Sequence, residues 1–378
     1  MVSVRTILNT ALLVTGIPLY ASEKGAGATT DYADAFERGG FAAAAVPADS
    51  LLPVRVNIHL PVRVALHAGE DITADLEEVE TDWRRTRDHR RALVRLLKIA
   101  RVKKSVWNLW GGYRLYNDLE RVAAKLKLYA LVMKCHDRAV AEASLTETGP
   151  FISPDSSSLF LLTAEDTSLL TAGGQLSVMK SPPVRTSEIW ESFDDGKQAI
   201  SYALLVHAKQ PVPGRRKSYT HINNVGHLFI TLIKYNADNS CVSRSFGFYP
   251  RKTGLFSGTP VHPRSAAVFK DDALHDWDEV VGKFISVRKF QKIIGLLKEY
   301  DQLGYNLNKN NCTDFGLSVA AIGGICIRDT WGSWPLGSGN NPANAGQSLL
   351  EGKWSNTDED YRGPVFVCNN VQTFPGMK

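Results

Sequence analysis

The chain has 378 residues, is 44% apolar and 22% charged, and carries a net charge of +5. This excludes a collagen-like or wholly disordered chain and suits about two folded domains. The charge is too mild to indicate a nucleic-acid partner, and five scattered cysteines without a C-x-x-C pair argue against a disulfide framework or a structural zinc site.

Met1–Ser22 has Arg5 and then a broken apolar stretch, but it lacks the small-x-small pattern of a removable signal. Val54 to Leu66 alternates apolar with polar residues and predicts a strand or hairpin. Residues 71–145 read as helical. Leu93, Leu96, Leu97 and Ala100 recur at helical spacing, and Leu115 to Ala143 predicts one long helix after Gly111-Gly112. Residues 1–145 are therefore expected to form a mostly helical accessory domain. The Ser/Thr/Pro-rich stretch 146–188 is expected to be a partly structured linker.

Residues 189–378 read as an α+β domain. Strands are predicted at Ile200–Lys209, His227–Tyr235, Cys241–Tyr249 and Val280–Ser286, the second and third joined as a hairpin by Asn236-Ala237-Asp238-Asn239. An amphipathic helix is predicted over Val287–Leu303. A polar loop then leads into Cys312, which opens a further helix ending at Gly323-Gly324. Trp331 to Asn344 lacks periodicity and predicts an ordered loop.

Cys312 carries the strongest chemical signal. A thiol at a helix N-terminus faces the positive end of the macrodipole, which favours the reactive thiolate, and nearby N–H groups can hold an oxyanion. A thiol nucleophile needs a base, and His227, opening a strand after Gly226, is the best candidate. His207, within a strand, and His221, in the preceding loop, compete for that role. Asp314, two residues after Cys312, suits a helix first turn better than catalysis.

The segments Gly226-His227-Leu228-Phe229-Ile230, Ser245-Phe246-Gly247-Phe248-Tyr249-Pro250 and Asn310-Asn311-Cys312-Thr313-Asp314-Phe315, in that order, resemble the circularly permuted branch of the NlpC-type papain-like superfamily. That branch includes lecithin:retinol acyltransferase-like enzymes. The resemblance covers about residues 200–345. It implies a papain-like antiparallel sheet packed on helices, no cofactor, and a thioester mechanism with Cys312 as nucleophile and His227 as base. It also implies a third polar residue on the neighbouring strand, where Ser243, Ser245 and Tyr249 stand; Tyr249 is the expected choice. The expected activity is acyl hydrolysis or transfer on phospholipid esters. A peptidoglycan amidase or peptidase is the alternative, because the second histidine of lipid-acting members is missing, and a non-catalytic binding module is the third reading. The resemblance further implies an antibacterial effector, secreted or delivered to the periplasm of a target bacterium, with an immunity protein as partner.

A second signal lies in Arg84–Lys104, with ten Lys/Arg against the single acid Asp88. Arg90, Arg91, Arg95, Lys98 and Arg101 share one helical face. Leu93, Leu96, Ile99 and Ala100 share the other, with Trp83, Trp107 and Trp110 flanking. That pattern predicts peripheral contact with an anionic membrane, or a helix whose apolar face packs on its own domain.

Overall fold

A computed structural model describes residues 62–102, 113–143, 161–171, 181–218, 225–252, 257–359 and 363–370. Its centre is a six-stranded sheet, in the order β12-β6-β1-β2-β3-β5, with every neighbouring pair antiparallel. The strands are β1 (Ala199–Lys209), β2 (His227–Asn236), β3 (Cys241–Pro250), β5 (Ala267–Asp271), β6 (Glu279–Ile285) and β12 (Phe366–Asn369). Short strands β4 (Arg264–Ser265) and β7 (Tyr305–Asn306) pair with each other beside it.

Both faces of the sheet are covered, which is why β2 is buried at every position and reads as a nearly continuous apolar run. Side chains alternate between the two faces. Ala203, Leu205, Phe229, Ile233 and Phe284 pack against helices α1 (Val62–Thr86), α2 (His89–Val102), α3 (Tyr113–Lys125) and α4 (Tyr129–Ala143). Leu204, Val206, Leu228, Ile230 and Leu232 pack instead with residues of α6 (Thr186–Glu191), α7 (Val287–Tyr300), α8 (Cys312–Gly323) and α9 (Pro342–Leu350). The mixed α+β class expected from the sequence is present. No helix among the described residues is long and apolar enough to cross a membrane.

Several local expectations are corrected. Residues 54–61 of the predicted strand lie outside the described residues, and Val62 to Leu66 are helical, opening α1. The single helix predicted over Leu115–Ala143 is two, α3 and α4. The chain turns at Lys127, whose φ of +59° lies in the left-handed region, and the buried Lys127 ammonium reaches Asp276 at 2.9 Å. The segment Trp331–Asn344 is not a loop. It forms the hairpin β9 (Trp331–Trp334) and β10 (Gly337–Asn340), then the start of α9. Between α8 and that hairpin, β8 (Ile325–Ile327) pairs with β11 (Trp354–Asn356).

The expected split into a helical domain, a linker at 146–188 and a catalytic domain also changes. The described residues from 66 onward form one compact unit, because the helices of the N-terminal half share a hydrophobic core with the sheet. Tyr235 Oη on β2 donates to Ala130 O on α4 at 3.0 Å. Residues 164–171, inside the expected linker, form helix α5 (Ala164–Thr171). Its buried Glu165 accepts hydrogen bonds from Ser243 Oγ at 2.7 Å and Ser245 N–H at 2.6 Å on β3.

The basic stretch is tied into the same core. Leu93 and Leu96 are fully buried, so the apolar face predicted to enter a membrane is spent on the protein's own interior. Arg91 pairs with Asp82 at 2.8 Å, and Arg95 pairs with Glu78 and Asp82 on α1. The Arg101 side chain and the flanking Trp107 and Trp110 lie outside the described residues.

Candidate active site

Helix α8 begins where the sequence places it because Asn311 caps it. The Asn311 Oδ1 atom accepts from Thr313 N–H at 2.7 Å and Asp314 N–H at 3.2 Å. Its Nδ2 donates to Leu307 O and Asn340 O, both at 2.8 Å. Asp314 returns the cap by accepting Asn311 N–H at 2.9 Å, and it also accepts from Asn340 Nδ2 at 2.7 Å. Its role is therefore structural: a capping box that joins the helix start to the β9–β10 hairpin. Since the cap takes the amides of Thr313 and Asp314, and Asn311 O takes that of Phe315, the first-turn amide left for an oxyanion is that of Cys312.

The structure brings Cys312 and His227 together. The two side chains lie close enough to act directly on each other, and both residues are buried. The backbone of Leu228, beside His227, also lies near the thiol and helps to lower its pKa. The approach requires a glycine on α8: a Cβ at Gly316 would come within 2.5 Å of Leu228 Cδ2.

The third residue is Asp272, which the sequence reading did not name. His227 Nε2 lies 3.0 Å from Asp272 Oδ2, so Nδ1 is the nitrogen available to Cys312. Asp272 is fully buried and held on every side. Its N–H donates to Ser245 O at 2.9 Å, and its Oδ1 accepts from Ser181 Oγ at 2.5 Å and from Tyr249 Oη at 2.6 Å. Tyr249, expected to orient His227 directly, does so only by ring contact, with centroids 4.2 Å apart; its hydroxyl is spent on Asp272. Ser243 and Ser245, the other expected partners, bond to Glu165. Asp272 escapes a reading of the hairpin alone because it follows β5, one strand further out, where only tertiary pairing with β3 delivers it to the site. The one available signal was the acidic pair Asp271-Asp272.

Of the competing histidines, His207 is engaged elsewhere. His207 is fully buried, with Nε2 2.9 Å from Thr231 Oγ1, and it stacks on Phe229 at 4.5 Å. Burial holds its pKa well below the usual value, so it is neutral. His221 lies outside the described residues. A further histidine, His275, stands 5.1 Å from the His227 ring by centroid. Burial lowers its pKa to about 4, against the opposing pull of Asp272.

The electrostatics favour an ion pair. Burial alone would lower the His227 pKa, but the Asp272 carboxylate and the Cys312 sulfur outweigh it and raise the value to about 9. Burial alone would raise the Cys312 pKa, but His227 outweighs it and the thiol is held below its ordinary value. Each therefore favours the charged form of the other. Cys312 opens into a cleft walled by Val225, Tyr305, Leu307, Trp334 and Pro342, with Asn311, Asn340 and Asn341 among its polar members.

No protein-family profile matches this chain, and neither the curated proteins nor the solved structures contain a match to it.

Proposed function

We propose that the protein is a cysteine-dependent acyl hydrolase or acyltransferase working through a Cys312–His227–Asp272 triad. The observation that carries this reading is the pairing of the Cys312 thiol with His227, whose Nε2 lies 3.0 Å from the buried Asp272 carboxylate. Nucleophile, base and orienting carboxylate are the three parts that covalent acyl transfer needs. The Cys312 thiolate attacks the acyl carbonyl, and the N–H of Cys312 stabilises the oxyanion. Protonated His227 then donates to the departing alcohol or amine, leaving a thioester on Cys312. Water or a second acceptor, deprotonated by His227, releases the acyl group. A papain-like arrangement of the permuted type accommodates these roles.

For substrate, a phospholipid acyl ester is the first reading. The cleft walls named above are mostly apolar, and no charged side chain is among the described residues that line it. A peptide amide is the second. It gains from the burial of Leu93 and Leu96, which removes the basic helix as an inserting element. Incubation with phospholipid vesicles and, separately, with purified peptidoglycan, followed by mass spectrometry, distinguishes them. Release of fatty acid supports the first and release of peptide fragments the second. Either product must vanish in Cys312→Ala. Products that persist in that variant would rule out Cys312 as the nucleophile, and no product from either substrate with no acyl adduct on Cys312 would leave the chain as a binding module.

A further inference from the structure

The three most exposed large apolar side chains among the described residues are Leu336, Trp331 and Val261, at 75%, 60% and 59% of full exposure. All three belong to segments bordering the Cys312 cleft. Trp331 and Leu336 lie on the β9–β10 hairpin, whose Trp334 lines the cleft and whose Asn340 bonds to Asp314. Val261 lies just before β4, which pairs with β7 at the cleft wall, and Pro263 O accepts the Leu307 N–H at 2.8 Å. Isolated exposed apolar residues are ordinary, but the concentration of the most exposed ones around one opening is not.

Leu336 adds a second observation. Its φ of +67° lies in the left-handed region, where a turn ordinarily carries Gly or Asn. The fold thus keeps a strained, solvent-facing leucine at a hairpin tip, the kind of outlier that marks a functional surface. Charge supplies a third. Residues 257–265, 303–310 and 331–340 contain the exposed cations Arg264 and Lys309 and no Asp or Glu. The cleft behind the rim offers little to a polar group, since Asn311, Asn340 and Asn341 spend their amides on Leu307 O, Asp314 and Gly339 O.

We propose that this rim is a docking surface for an anionic lipid bilayer, with Trp331, Leu336 and Val261 entering the interface and Arg264 and Lys309 meeting its headgroups. Separate apolar tips interspersed with cations suit insertion among headgroups better than a flat protein interface, which needs a continuous buried core. The proposal rests on the acyl-hydrolase reading and gives it an entry route. It moves membrane contact from the basic helix α2, whose apolar face is buried, to the mouth of the cleft.

The test is sedimentation of the full chain with phosphatidylcholine vesicles, with and without phosphatidylserine. Binding should need the anionic lipid and fade with salt. The double variant Trp331→Thr with Leu336→Asn, the latter keeping a residue that tolerates positive φ, should weaken binding by about tenfold or more, since each buried apolar side chain is worth roughly a decade. Arg90→Ala with Lys98→Ala should bind as the parent does. No binding to either vesicle, unchanged binding by the rim variant, or a self-association that the rim variant abolishes would each overturn the proposal. Cleavage of a soluble short-chain ester is measured alongside. It should survive in the rim variant and disappear in Cys312→Ala, while Cys312→Ala still binds vesicles. Lost cleavage without lost binding would therefore be a failure of the catalytic reading alone.

Discussion

A cysteine buried to 7% exposure is ordinarily a small packed residue; Cys312 differs in what surrounds it. Its partner His227 has a pKa raised to about 9, which sets the pH window. The thiolate–imidazolium pair persists from below the ordinary thiol pKa up to about pH 9, so turnover should fall as pH rises through that value. The pair also stabilises the fold: a histidine raised from 6.5 contributes fully below about pH 6.5 and loses the contribution as pH passes about 9. Asp272→Asn removes the carboxylate that raises His227. We expect kcat to drop by roughly 10²–10⁴-fold and the alkaline limb to move to lower pH, both readable in a pH–rate profile. At this scale the sequence disclosed the proposed nucleophile and base, because a Cys after Asn310-Asn311 and a His opening an apolar strand are local patterns. Asp272 was hidden because its place depends on which strand lies beside β3, and no local pattern fixes that.

The elements place those residues through close approaches. A Cβ at Gly247 would strike the His227 ring and the Asp272 carboxylate. Gly247→Ala should therefore abolish turnover by displacing the base, while leaving a folded protein by circular dichroism. On α8, Asn311→Ala removes the cap and two hydrogen bonds to neighbouring loops. It should cost about 1–2 kcal/mol for the cap alone, with more from the lost loop contacts, measurable by denaturant unfolding. The order of β1, β2, β3, β6, α7 and α8 was legible from alternation and helical spacing. The break at Lys127 was not, since the burial of its side chain toward Asp276 is a tertiary demand. The β9–β10 hairpin was missed for a related reason: a Gly- and Asn-rich stretch gives no alternation, and its pairing depends on contacts with Asn308 and α8.

Across the whole molecule, one sheet is shared by two helical layers, and this explains why the N-terminal half does not stand apart. An amphipathic helix reads the same whether its apolar face meets a membrane or a sheet, so the sequence could not choose for α2. Leu93→Ala should destabilise the unit by about 2–5 kcal/mol, as large-to-small changes in a packed core do, and its effect on activity should follow the folded fraction. Glu165 joins the layers through β3, and burial raises its pKa from 4.5 to about 7. The folded state therefore holds this proton more tightly than the unfolded chain. Its contribution is full below about pH 4.5 and is lost as pH rises through about 7. Glu165→Gln should flatten the stability profile across that interval, as thermal unfolding at several pH values would record.

The central claim is that Cys312 and His227 form one reactive unit, and the pH dependence of Cys312 alkylation tests it most directly. Iodoacetamide labelling, with the modified cysteine identified by peptide mass spectrometry, should proceed at Cys312 well below the ordinary thiol pKa of 9. In His227→Ala that low-pH reactivity should disappear and the rate should rise only as an isolated buried thiol ionises. A Cys312 labelling profile that is the same in both proteins would contradict the account.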